Sequence, residues 1–174
     1  MGMPQASRPS KRQLATATRA RLAAGGSPYA CKTPNVTDVI VYAWRGPIAD
    51  EEMVDLVTSH GGHPTAGWWN QISAHSLGWV SARDRDGLLV GFANVAWDGG
   101  DHAFLIDTKT RGKHQHRGIG RELVRRAMIN ARAAGCEWLH VDFEPNLAPF
   151  YFDACGFRRT DAGLVHLVTP TQAE

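Results

Sequence analysis

No stretch of the 174-residue chain approaches the roughly 18 consecutive apolar residues that a membrane-crossing helix needs. Its first residues hold no apolar core of the secretion-signal kind, so export is not expected. Cysteine is scarce: Cys31, Cys136 and Cys155 show neither paired nor metal-ligand spacing, which suits a reducing cytoplasm. Acids are missing altogether from residues 1–35, where Arg8, Lys11, Arg12, Arg19, Arg21 and Lys32 give a net +6. The remainder holds 13 basic and 17 acidic residues, a net −4. A basic arm can touch nucleic acid, but this one has a single aromatic residue, Tyr29, and no recognisable binding motif. It reads as a flexible basic extension, with room for a short helix over 10–24, ahead of one domain spanning 36–170. Neither a nucleic-acid nor a membrane partner is expected.

What is present begins at Val36, where β-branched and aromatic residues predict a strand to Trp44. Asp50-Glu51-Glu52 open a helix running to Ser59, and Trp68 to His75 forms a second. Strands follow over 77–83 and 88–97, joined by the hairpin signal Asp84-Arg85-Asp86-Gly87. His102 to Thr110 is a third antiparallel member after the turn at 98–101. A helix over 121–134 shows Ile119, Leu123, Ala127 and Ala131 at intervals of four, and Gly135 stops it. Glu137 to Phe143 is a strand that a helical crossover makes parallel to its predecessor. A short helix over 147–154 and a last strand over 164–168 complete the order β-α-α-β-β-β-α-β-α-β.

The most informative residues are Gln115-His116-Arg117-Gly118-Ile119-Gly120, at the mouth of the third helix. A helix's first turn has backbone N–H groups without partners and partial positive charge. Glycines remove the side chains that would hold an anion away from those donors. The pyrophosphate of a coenzyme is the expected ligand. Lys113 follows a glycine, but the loop lacks the spacing of a nucleotide triphosphatase. His114 and His116 are two apart with no Cys or acid to complete a site, so no metal is expected.

This order, with a glycine loop opening the third helix and Gly156-Phe157 after the fourth, resembles the GNAT superfamily of acyl-coenzyme A-dependent N-acyltransferases over roughly residues 37–168. The family pattern Gln/Arg-x-x-Gly-x-Gly/Ala is met by Gln115, Gly118 and Gly120. The resemblance implies an α/β fold: a mixed, mostly antiparallel sheet with helices on both faces and a V-shaped splay between two central parallel strands. It implies acetyl-CoA as co-substrate, with Thr108, Lys109 and Thr110 pairing with the pantetheine arm. The amides of Gln115, His116, Arg117, Gly118, Ile119, Gly120 and Arg121 would hold the pyrophosphate. Trp68 and Trp69 fall where acceptor-binding segments lie in similar enzymes, either walling an acceptor pocket or filling core; Trp79 and Trp97 read as core. The family often has a tyrosine four residues before the glycine of Gly-Phe as general acid. Here Phe152 stands there and Tyr151 is one earlier, about 100° away on an α-helix. Asn146, six before Phe152, is near the family's asparagine, placing Asn146 and Phe152 beside the cofactor.

Acyl transfer to an amine needs a base, a polarised carbonyl and a proton for the thiolate. The strand 138–144 alternates Leu139, Val141 and Phe143 with His140, Asp142 and Glu144. An interior strand is normally apolar on both faces. Three titratable groups on one face mean a lined cavity, hydrogen-bonded structural groups, or exposure near an open edge. Candidates are Glu144 and Asp107 as base, Tyr151 as an off-register acid whose loss is expected to cost less than about tenfold, and His140 and Asp142 toward the substrate. The reading is a cytoplasmic N-acetyltransferase for a primary amine on a small molecule or peptide, compatible with a homodimer. A non-catalytic acyl-CoA-binding regulator is the alternative.

Overall fold

The computed structural model describes residues 39–167. The basic extension, the helix expected over 10–24, Val36 and Val168 lie outside them. Five strands form one sheet: β1 (Val41–Trp44), β2 (Ser76–Arg83), β3 (Leu89–Trp97), β4 (His102–Thr110) and β5 (Trp138–Val141), in the order β1-β2-β3-β4-β5. The first four are antiparallel and β4–β5 is parallel. On one face lie α1 (Asp50–Thr58) and α2 (Trp68–Ala74), and on the other α3 (Ile119–Ala133).

Each helix is explained by its ends and its buried stripe. Three acids favour the positive end of α1, and the Ala49 N–H donates to Glu52 Oε2 at 2.9 Å. Met53, Leu56 and Val57 then bury toward Phe92 and Trp69. Asp50 also accepts hydrogen bonds from the Gly67 and Trp69 amides at 2.7 and 3.0 Å, satisfying the start of α2. On α3, Ile119, Leu123, Val124, Ala127 and Ala131 bury against β2, β3 and β4, a stripe of helical period. Gly91 lets α3 approach the sheet: a Cβ there would lie 3.0 Å from Leu123 and 3.1 Å from Ile119. No helix among the described residues is long and apolar enough to cross a membrane.

Glu52 also clamps α1 to β2, accepting from Arg83 Nη2 at 2.8 Å, while that same nitrogen donates to the Pro47 carbonyl at 2.9 Å. The Arg83 hydrogen bond holds the Glu52 carboxyl down at about 2. A depressed carboxyl contributes stability above its unfolded value and loses it as pH falls toward the folded one. The thermal midpoint should therefore drop between about pH 4.5 and 2, and Glu52→Gln should flatten that part of the curve in an acid titration of melting temperature.

Several expectations need correction. The helix expected over 147–154 is a 3₁₀ turn (Pro145–Leu147) followed by one turn of π-helix (Pro149–Ala154). Pro149 removes an N–H donor inside the segment, which disfavours an unbroken α-helix. Residues 164–167 form no strand, and Leu164, Val165 and Leu167 are exposed. Among the described strands β5 is therefore an edge, not an interior strand. Trp97 is 38% exposed rather than core, its indole donating to the Gly100 carbonyl at 2.7 Å.

Candidate active site

The site grows from the way β4 and β5 part. Their pairing covers only His102–Leu105 against Trp138–Val141. Beyond Leu105, β4 stays hydrogen-bonded to β3 on one side, while the chain after β5 turns off the sheet. Phe143 there stacks on Tyr151 with ring centroids 4.5 Å apart. No other described strand takes the freed edge of β4 from Ile106 to Thr110, the segment that includes Thr108, Lys109 and Thr110.

Within that segment the ladder breaks. Asn94 pairs with Ile106 and Phe92 with Lys109, so Asp107 and Thr108 together oppose Ala93. This is a β-bulge, which unpairs a residue and re-aims the backbone beside it. Asp107 takes φ +55°, a left-handed conformation that aspartate tolerates better than most residues. Its carboxylate is paired with Lys109 Nζ at 2.7 Å. Thr108 Oγ1 is buried without a hydrogen-bond partner.

At the end of the freed edge stands the N-terminus of α3. Gly118, at φ +82°, is its N-cap, and no side chain caps it. A Cβ on Gly118 would meet nothing within 4 Å, so the space in front of the first-turn amides is open. Gly120 is needed for a different reason. A Cβ there would press on the Phe150 ring at 3.2 Å, with Thr110 Oγ1 at 3.7 Å. Gln115 bridges back to β4, its amide donating to the Thr110 carbonyl at 3.1 Å. Gln115, His116, Arg117 and Arg121 are exposed around this mouth. Beside it opens a cavity of about 390 Å³ lined by Ile40, Tyr42, Arg117 and Ile119.

The π-turn changes the reading of Tyr151. Its Cys155 N–H donates to the Phe150 carbonyl at 3.0 Å, so the turn holds one residue more than an α-turn and the α-helical count back from Gly156 shifts by one. Tyr151 is 5% exposed and packs into the core with Phe143, Phe150 and Phe157. Burial raises its phenol above the ordinary tyrosine value; Thr108 pulls the other way, through a contact looser than a hydrogen bond. Phe152 instead carries the Arg159 guanidinium 4.2 Å over its ring.

The remaining candidates are dispersed. Glu144, Asp142 and His140 are exposed along the β5 edge, and Asn146 is exposed in the 3₁₀ turn. Trp69 is core at 3% exposure, its indole donating to the Ile48 carbonyl. Trp68 is half-buried beside it. Burial pushes the Cys155 thiol up, which suits packing rather than nucleophilic chemistry. Asn94 escaped the sequence reading. It is 1% exposed with Oδ1 unpartnered, and its signal was one amide in the otherwise apolar run Leu89 to Trp97.

An open strand edge leading to an uncapped, glycine-flanked helix start is a site for an extended, anion-bearing ligand. The profile of the acetyltransferase (GNAT) family matches residues 47–157, which contain all of this. The chain belongs to the GNAT acetyltransferase family. Solved structures share this GNAT fold. A GNAT-family acetyltransferase from Streptococcus pneumoniae is 22% identical, covering 75% of this chain and 100% of its own, with a TM-score of 0.61. The aminoglycoside acetyltransferase AAC(6')-Iy, in complex with a CoA-based bisubstrate analogue, is 18% identical over 76% of this chain and 99% of its own (TM-score 0.62). Glucosamine-6-phosphate N-acetyltransferase from Arabidopsis thaliana is 13% identical over 74% and 99% (TM-score 0.60). No sequence among curated proteins matches the chain significantly.

Proposed function

We propose that this GNAT protein transfers an acetyl group from acetyl-CoA to a primary amine, by direct attack with both substrates bound. The observation that carries the reading is the uncapped start of α3 behind Gly118, in line with the freed edge of β4. Acetyl-CoA supplies the activated acyl group. Thr108, Lys109 and Thr110 offer it backbone hydrogen bonds, as an added strand would receive them. Amides from Gln115 to Arg121, His116 among them, hold the pyrophosphate, with Arg117 and Arg121 adding positive charge. Asn146 and Phe152 flank the far side of the opening.

Tyr151 donates the proton that the departing thiolate requires. Its burial keeps the phenol protonated, and the bulge residue Thr108 marks where it reaches. Between the two base candidates, Asp107 is engaged by Lys109, whereas Glu144 stands exposed three residues past β5, at the start of the 3₁₀ turn. Glu144 is the better base, acting directly or through water. Asp142, His140 and Trp68 face the acceptor.

A mixture of acetyl-CoA, the full chain and a panel of primary amines tests this: thiol release dependent on both amine and protein is expected. The second reading, an acyl-CoA-binding regulator, is favoured by Phe152 at the position where the family's acid often stands. Tight coenzyme binding without thiol release from any amine would select it.

A further inference from the structure

On the sheet face opposite α3, the helices α1 and α2 pack on β3 and β2 and leave β4 and β5 uncovered. By register, His102 and Phe104 of β4 share this face with Trp138 and His140 of β5. His102 Nδ1 and His140 Nε2 are 2.7 Å apart. Their ring centroids are 5.0 Å apart with planes inclined 23°. For imidazoles joined at that N···N distance, such a spacing means edge to edge in nearly one plane, not face on face. It is the geometry of an N–H···N hydrogen bond, with one proton between two rings.

The far side of His102 decides which ring gives that proton. Its Nε2 lies 3.6 Å from Asp101 Oδ1, longer than a hydrogen bond but close enough for the carboxylate to favour N–H there. When both rings are neutral, His102 Nδ1 is then the acceptor and His140 Nε2 the donor. His140 Nδ1 is left as a bare lone pair. Phe104, stacked on His140 with centroids 4.8 Å apart, fixes the plane of the ring.

A buried acceptor shares the face with the exposed His140 ring. Asn94 Oδ1, on β3 opposite Ile106, has no partner although Asn94 is 1% exposed. Buried amide oxygens are rarely left so, and this one adjoins the bulge. Strand spacing of about 4.8 Å and a rise of about 3.3 Å per residue put the Asn94 and His140 Cα atoms about 12 Å apart.

We propose that Asn94 and His140 receive the two ends of one acceptor: the reacting primary amine at Asn94 Oδ1 and a second hydrogen-bond donor, a hydroxyl or ammonium, at His140 Nδ1. The substrate class is therefore an amino alcohol or a diamine, not a simple alkylamine. This rests on the acyltransferase reading above. Asp101 and His102 are positioning residues that act through the tautomer of His140.

Three measurements on the full chain decide it. Nitrogen-15 spectra of the labelled imidazoles should show His140 protonated at Nε2 and bare at Nδ1, and His102→Phe should abolish that preference. Steady-state thiol release should favour diamines and amino alcohols over alkylamines of equal length by up to about tenfold in kcat/KM, the upper end of what one net hydrogen bond contributes. The preference should peak at one chain length and collapse in His140→Ala. Asn94→Leu should raise KM for every amine while the melting temperature holds or rises, since it removes an unsatisfied buried polar group. An Nδ1–H tautomer at His140, or equal use of alkylamines and diamines by the wild type, overturns the proposal while leaving the transferase reading intact. If no amine is acylated at all, the transferase reading falls instead. A diamine titration followed at the His140 resonances then still decides, because an unmoved signal overturns the site.

Discussion

Gly118→Leu should leave a folded protein whose coenzyme A affinity falls by about 100-fold, close to 2.7 kcal/mol of binding energy. The structure separates the two consequences of that substitution. Nothing lies within 4 Å of the position a Cβ would take, so the new Cβ meets no clash with the protein itself. The cost to folding comes only from φ +82°, which disfavours an L residue by about 1–2 kcal/mol. The cost to binding is larger, because the side chain fills the space in front of the first-turn amides and excludes a phosphate from them. Calorimetry with coenzyme A, alongside a thermal melt, reads both. A melt near that of the wild type with unchanged affinity would remove the pyrophosphate from this helix.

Tyr151→Phe should lower kcat by about 10²–10³ with coenzyme affinity preserved, the range typical of a positioned general acid. The substitution keeps the ring that stacks on Phe143 and deletes only the hydroxyl near Thr108. Its effect on packing is therefore small. Burial raises the phenol, so the alkaline fall in wild-type rate should lie above the ordinary tyrosine value near 10. That limb should vanish in the variant. A loss under tenfold would instead restore the expectation drawn from sequence, in which water protonates the thiolate.

The two results also mark where sequence reading works. Turn residues located β2, β3 and β4: Asp84-Arg85-Asp86-Gly87 marks the hairpin between the first two, and residues 98–101 the turn before the third. The glycine loop was legible because Gly118 answers a backbone demand that no other residue meets well. Tyr151 was read against an α-helical count, and sequence pattern does not distinguish a π-turn from an α-turn; the extra residue of the π-turn shifts that count by one. The β5 candidates were weighed on the premise of an interior strand, whereas Trp138–Val141 is an edge among the described strands. Asn94 and the His102–His140 pair depend on register between strands, Ile106 against Asn94 and Phe104 against His140. Register is a tertiary property that one chain's pattern does not encode.

The freed edge of β4 has a consequence for how the protein must be handled. From Ile106 to Lys109 its outer side pairs with no other described strand, although the strand is otherwise built into the sheet. Such edges recruit strands from other chains, and proteins commonly blunt them with charge or a bulge. Here Asp107 and Lys109 supply both, yet they neutralise each other. Coenzyme bound along that edge would act as a chaperone for the fold as well as a reactant. At a hundredfold excess over its dissociation constant it would add about 2.7 kcal/mol to stability. Protein freed of coenzyme during purification is then the form that should aggregate in storage, and the form whose solubility a pantetheine-bearing additive should rescue.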